Sequence, residues 1–399
     1  AGPRLLLRTG THFLFLGFLL GPTVLGLLSR EALGQLSPLL GLALGWIGLL
    51  FGLQLDRGAL KQFPPVFLVL ALGQAALAFV LIVAAGIVAA GSLQVEGDSV
   101  LLVLLGAAAT ACISAPAGVA MVSANFMAKG RVKDLLFFIA SVDAAVGITA
   151  LHVVYATMHG DPVLMAPGGE PVWFRLLAGV GLGVICAVIF LWLARLRPSR
   201  EELVLYLLGI SALSAGAALQ LQLSPLFVGM VSGALITNLN PNWHRVFRLM
   251  ERWEKPIYLI LLLLAGAALR FPTWWVVPLA LAYAVVRGVA KVVSTALLVN
   301  TLTLPFPTPR RLGLGLVPQG GISIAMALSL ALTLTSASPR IGGVDAGELL
   351  LATVVLGVVV SELVGPLFTT AVLRTAGEIA PGVEEALARG DREGARART

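Results

Sequence analysis

Apolar residues come in long runs along this chain, separated by short clusters of charge, proline and glycine. Twelve such runs can be drawn: 12–28, 37–55, 63–90, 99–127, 134–158, 171–195, 200–221, 223–239, 255–271, 274–302, 310–336 and 346–374. A helix of about 20 apolar residues crosses a hydrocarbon core of about 30 Å, so each run is read as a membrane span. The pattern predicts an all-α polytopic membrane protein. The first run holds a Gly21-Pro22 break, lacks a cleavage site and is followed by many more spans, so it is read as a helix and not a signal peptide. From Ala376 onward the chain is too polar to span and is expected to fray.

Composition agrees, with 58% hydrophobic residues, 12% charged and a mean hydropathy of +0.96. Lys and Arg exceed Asp and Glu by 27 to 20. The excess sits in loops and the tail, which argues for membrane topology and against nucleic-acid binding. Sorted by alternate loops, 21 basic residues fall on one side and 4 on the other, with Arg287 and Lys291 inside the tenth span. The richer side, which includes the C-terminus, is therefore predicted to be cytoplasmic. Cys112 and Cys186 both lie in apolar runs and suggest neither a disulfide framework nor a metal site.

An internal repeat is visible. Gly17 and Gly21 of the first span align with Gly229 and Gly233 of the eighth at an offset of 212, and Gly52 and Leu55 of the second align with Gly266 and Leu269 of the ninth at 214. Seven spans separate the paired elements, so the two halves are predicted to have opposite orientations, as in many transporters. The corresponding fourth and eleventh spans each carry a break at membrane depth, "ACISAPAGVAM" with Pro116 and Gly118, and "GLVPQGGISIA" with Pro318, Gly320 and Gly321. Freed backbone groups are tolerated there only where they line an enclosed cavity, and half-helix ends can then face an ion. In the second span Gly41, Gly45, Gly48 and Gly52 form a face that allows close helix approach.

The fifth span, "FFIASVDAAVGITAL" in its middle, contains one acid beyond its first residue, Asp143, about nine residues from its nearer end, roughly 13 Å deep. A carboxylate there costs about 2.5 to 3.5 kcal/mol on insertion scales. It is read as a site on an ion or proton path, with a structural acid held by a buried partner as the alternative. Arg287 and Lys291 in the tenth span and Glu362 in the twelfth are the other intramembrane charges, and two acids with two bases allow pairing. Ser114, Thr110, Ser141 and Ser323 lie near the breaks or one turn from Asp143, where hydroxyls could complete an oxygen shell for a hard cation or simply bond between helices. His152, two to three turns outward, is open to reading as a proton relay, a pH sensor or a packed neighbour.

Over nearly its whole length the chain resembles the cation/proton antiporter superfamily, including sodium/proton exchangers and Kef-type membrane domains. "LGFLLGPTVLGLL" is similar to the family's Gly-rich entry helix, "QGGISIAMAL" to its second interrupted helix, with Gln319 and Gly320 where Arg-Gly often stands, and "SVDAAVGI" to the helix with the ion-binding aspartate. The resemblance implies that Asp143 binds the ion and that Lys291 pairs with it when no cation is present. Arg287 is the competitor for that role and is otherwise assigned to Glu362, for which a direct role in ion binding is the alternative. Val142 departs from the Asn, Asp or Gln common before the aspartate, and Ser114-Ala115 from a Thr-Asp pair. The family usually has thirteen spans and twelve are found here, so the sequence is expected to lack the family's first helix, which would precede residue 1, or to begin partway through it. A homodimer is implied by the resemblance alone.

These readings converge on a secondary antiporter of a monovalent cation, Na⁺ ahead of Li⁺ or K⁺, against protons. No cofactor is called for, and the partners are the two ions, the lipid bilayer and a second copy. Residues 1–375 are expected to form the transport domain, with a core over 63–158 and 274–375, a scaffold over 12–55 and 200–271, a linker helix over 171–195, and a polar cytoplasmic tail over 376–399. The expected location is a prokaryotic plasma membrane. A sodium-coupled symporter of organic anions or a channel-like potassium efflux protein is the alternative. An intramembrane enzyme is disfavoured, since neither Gly-x-Gly-Asp nor His-Glu-x-x-His occurs.

Overall fold

A computed structural model of the chain describes residues 11–92, 98–159, 171–337, 340–341 and 343–380. Its helices are α1 (Thr11–Leu20), α2 (Arg30–Gln35), α3 (Ser37–Leu53), α4 (Arg57–Lys61), α5 (Pro65–Ser92), α6 (Asp98–Ala111), α7 (Pro116–Phe126), α8 (Arg131–His159), α9 (Val172–Ala194), α10 (Arg200–Gln220), α11 (Pro225–Leu239), α12 (Trp243–Ala268), α13 (Val276–Thr301), α14 (Gly321–Ala337) and α15 (Ala346–Thr375). A 3₁₀ turn over Leu312–Leu316 precedes α14. Two-residue strands, β1 (Arg340–Ile341) and β2 (Val344–Asp345), form a small antiparallel ladder between α14 and α15.

Every apolar run contains a helix, and runs four and eleven contain two helical pieces. By length and composition, seven of the described segments are long and apolar enough to cross a membrane, and three shorter apolar helices accompany them. Local chemistry sets several starts. Pro65, Pro116 and Pro225 open helices at positions where a missing N–H costs nothing, and Ser199 forms a reciprocal capping box with Glu202. Asp345 caps α15 by accepting from the Gly347 and Glu348 amides.

α12 starts a dozen residues earlier than its apolar run. Between Trp243 and Glu254 it buries Val246, Leu249 and Met250 and exposes Arg245, Arg248 and Arg252. That is a helical period without a continuous apolar stretch, which a membrane-length reading passes over.

The helices sort into two groups by their cores. One cluster, with Trp46, Leu53, Phe190, Leu207, Ile236 and Met250, joins α3, α9, α10, α11 and α12. Another, with Leu70, Val119, Leu135, Ile139, Leu316 and Leu373, joins α5, α7, α8, the 3₁₀ turn and α15. A larger cluster runs between them.

Glycine makes the first group tight. α3 lies on α11 and α1 on α12, and a Cβ added at Gly52 would strike the Met230 carbonyl and the Ala234 amide. At the aligned position, a Cβ on Gly266 would strike the α1 backbone at Leu14 and Phe18. The two helix pairs thus meet through positions that correspond in the sequence repeat. Backbone cannot retreat as a side chain can, so Gly52→Leu should cost about 1–3 kcal/mol and lower the melting temperature. Gly216→Ala, where a Cβ meets nothing within 4 Å, should leave melting unchanged.

The first residues of the expected tail are docked and not frayed. Glu378 accepts from the Val132 and Lys133 amides at the start of α8, at 2.6 and 2.8 Å, and the Lys129 amide donates to its carbonyl. A carboxylate there satisfies donors that a helix leaves free and matches its positive end. Residues 381–399 lie outside the described residues.

Candidate ion-binding site

The two interrupted segments meet at their breaks. α6 ends at Ala111, residues 112–115 are non-helical, and α7 resumes at Pro116; the second break spans 317–320 before α14 begins. The Ala115 amide donates to the Pro318 carbonyl at 2.9 Å. Gly118 and Gly320 lie at the crossing, since a Cβ on either would meet Pro318 or Ala115. At the head of α14 a Cβ on Gly321 would overlap the Tyr258 ring of α12.

The breaks leave main-chain carbonyls without helical partners, and α13 supplies the donors. Arg287 Nε donates to the Ala111 carbonyl at 3.0 Å, Nη1 to Val317 at 2.6 Å, and Nη2 to Ile113 at 2.6 Å and Leu316 at 3.4 Å. Helix C-termini carry partial negative charge, so a guanidinium spanning two of them is compensated without an acid. The expected pair between Arg287 and Glu362 is not formed. Glu362 is half-buried on α15 beside Tyr258, because Arg287 faces the breaks whereas Glu362 is turned toward α12.

One turn further on, Lys291 Nζ lies 2.6 Å from Asp143 Oδ2 and 2.5 Å from the Cys112 carbonyl, with both side chains fully buried. Ser114 Oγ, in the first break, donates to the same carboxylate oxygen at 2.7 Å. The Gln74 amide of α5 donates to Asp143 Oδ1, and its own Oε1 is buried without a hydrogen-bond donor. The sequence reading missed Gln74. Its signal was a single amide in the middle of a 28-residue apolar helix.

The remaining candidates go elsewhere. Ser141 Oγ turns back to the Phe137 carbonyl of its own helix at 3.0 Å and does not join Asp143. Thr110 Oγ1 bonds to the Ala107 carbonyl and lies 3.2 Å from the Tyr283 hydroxyl. The Thr110 carbonyl accepts from Gln319 Nε2 at 2.9 Å and Ser323 Oγ at 3.1 Å, and Gln319 also donates to Tyr283. This network ties α6 to α13 and α14 next to the ion pair. Tyr283, also missed, stands one turn before Arg287, so that Tyr283, Arg287 and Lys291 form one buried stripe on α13. His152 is buried and stacked flat on Phe227 of α11, with ring centroids 4.0 Å apart, two to three turns from Asp143. No cluster of three His, Cys, Asp or Glu able to hold a metal ion occurs among the described residues.

A fully buried carboxylate–ammonium pair beside two crossed helix breaks, inside an apolar helical protein, is an arrangement suited to an ion transporter. Residues 3–375 match the family model described as "Sodium/hydrogen exchanger, transmembrane", and the chain belongs to that family. Family membership supports cation/proton antiport in the membrane as its activity. Its fold is similar to that of the sodium proton antiporter MjNhaP1 from Methanocaldococcus jannaschii, with a TM-score of 0.65 at 13% identity over 91% of this chain and 92% of that one. No curated protein matches.

Proposed function

We propose that the protein exchanges Na⁺, ahead of Li⁺ or K⁺, for protons by alternating access, with Asp143 as the group that holds either ion. The observation that carries this reading is the Asp143–Lys291 pair. With no substrate bound, the ammonium, Ser114 and Gln74 satisfy the carboxylate. A metal cation must displace the ammonium to reach Oδ2, and a proton removes the charge that attracts both. Because the occupants exclude one another, a single site couples the two fluxes. Gln74 Oε1, buried without a donor, supplies an oxygen that a hard cation could use once the amide turns.

Among the described residues, the side chains that hydrogen-bond to Asp143 come from α5, the α6–α7 break and α13. This supports carriage of the whole site as one body, a core of α5–α8 and α13–α15 moving against a scaffold of α1, α3 and α10–α12, with α9 as the link. The side rich in basic residues would face the cytoplasm, and the working unit would be a homodimer.

The test is a proteoliposome assay of cation-dependent proton movement across Na⁺, Li⁺ and K⁺. One carboxylate at the site leads to electroneutral, one-for-one exchange as the expected result. A voltage-sensitive dye checks it, and charging of the vesicle interior during transport would refute that ratio.

A further inference from the structure

Among the described residues, one ion pair joins the scaffold to the core. Arg270, the second residue past α12, meets Glu348 in the first turn of α15, with Nη1 3.5 Å from Oε1. The two side chains are 21% and 26% exposed. A pair in contact with water is weak, which suits a contact that must open in each transport cycle.

The sequence repeat assigns each partner a counterpart. Gly52 and Leu55 align with Gly266 and Leu269 at an offset of 214, and the next residues at that offset are Asp56 and Arg270. α8 and α15 correspond as the fifth spans of the two halves, and their first turns are capped alike. Glu378 accepts from the second and third amides of α8, Val132 and Lys133, as Asp345 does from the second and third of α15, Gly347 and Glu348. Lys133 therefore stands where Glu348 stands. Between the two halves the acid and the base have changed places.

Both counterparts are placed like the observed pair. Asp56 is held on the scaffold, since Asn238 of α11 donates to the Leu55 carbonyl at 3.0 Å and accepts from the Arg57 amide at 2.9 Å. Lys133 opens a core helix, and in this structure it is turned to Asp134 of its own helix, 3.1 Å away. Glu378 follows α15 and caps α8, so Lys133 lies at the opposite end of the bundle from Glu348, about 45 Å away along a 30-residue helix. In a protein built from inverted repeats each half can take the arrangement of the other, so a contact closed at one end in one state has its counterpart at the other end in the opposite state. We propose that Asp56 and Lys133 are the mirror latch of Arg270 and Glu348, an ion pair of reversed polarity that forms at the far end of the seam once the core has moved and the Arg270–Glu348 pair has opened. The inference rests on the alternating access proposed above. Each pair stabilises one state, so their relative strength sets the resting balance between the two.

The test uses the full-length protein, in detergent and in vesicles. Both native cysteines are buried, so introduced pairs carry the cross-link. Asp56→Cys/Lys133→Cys should form a disulfide, and its yield should rise about two- to fivefold, the shift an exposed ion pair can supply, when Arg270→Glu sets two acids against each other at the observed pair. Asp56→Cys/Asp134→Cys should cross-link poorly, because position 134 points about 100° around the helix from position 133. In vesicles Lys133→Glu should slow exchange by a similar factor, and Asp56→Lys/Lys133→Glu should restore it with unchanged melting. The proposal is overturned if the Asp56→Cys/Lys133→Cys disulfide does not form, if its yield is indifferent to Arg270→Glu, if the Asp134→Cys pair cross-links as well, or if the double exchange fails to rescue the single one. Cross-linking in detergent reports the motion without any ion flux, so its success beside a failed exchange assay would refute the antiport reading and leave the latch standing.

Discussion

Asp143→Asn is expected to reduce cation-dependent proton movement to the level of protein-free vesicles while the protein still inserts and purifies. The amide keeps the shape of the side chain and can still bond to Ser114 and Gln74. It loses the charge that attracts a cation and the capacity to bind a proton at neutral pH. Removing one member of a buried ion pair typically costs about 3–5 kcal/mol. Here the partner is a lysine, which can shed its proton when isolated, so the loss of stability should be smaller than that figure. Robust exchange in this variant would exclude Asp143 as the coupling site. Asp143→Glu separates charge from geometry: a longer carboxylate retains charge but must displace Ser114 or Gln74, so partial transport with a weaker apparent cation affinity is expected.

The second large effect distinguishes two cations one helical turn apart. Arg287→Ala removes the donors to four main-chain carbonyls at both breaks. A buried acceptor left without a partner costs about 1–3 kcal/mol, so even two unrescued carbonyls amount to several kcal/mol and a large drop in melting temperature. Arg287→Lys, with three donors on a point charge, should recover part of that stability. Lys291→Ala removes only the bonds to the Cys112 carbonyl and Asp143. Its carboxylate can be neutralised by a proton or a metal cation, so melting should change less. The pH profile of transport should instead shift, because the charge that competes with proton and cation for the carboxylate is gone. Thermal melting and pH-dependent transport on both variants decide between the roles. An Arg287→Ala protein with normal melting and a displaced pH profile, together with an unaffected Lys291→Ala protein, would reverse the assignment.

Much of this site is legible in the linear chain because charge in an apolar run is costly and therefore rare. Asp143, Arg287 and Lys291 stand out for that reason, and Pro116 and Pro318 locate the breaks without reference to tertiary structure. Glycine spacing likewise marks the close faces, and Gly52 and Gly266 meet backbone at positions the repeat aligns.

Partnership is what the chain alone left open, and packing decided it. Periodicity says that a residue lies in the membrane and on which side of its own helix, but not how that helix is rotated against its neighbours. Rotation of α13 aims Arg287 at carbonyls rather than at Glu362. Rotation of α5 brings Gln74, one unremarkable amide among apolar residues, onto the carboxylate. Ser141, only two residues from Asp143 in sequence, points about 200° around the helix from it and bonds within its own helix. The class of the protein and its charged centre follow from the energetic cost of polar groups in hydrocarbon, a property of each residue taken singly. Which groups meet that cost for one another depends on the relative rotation of helices far apart in sequence, and only the tertiary structure sets it.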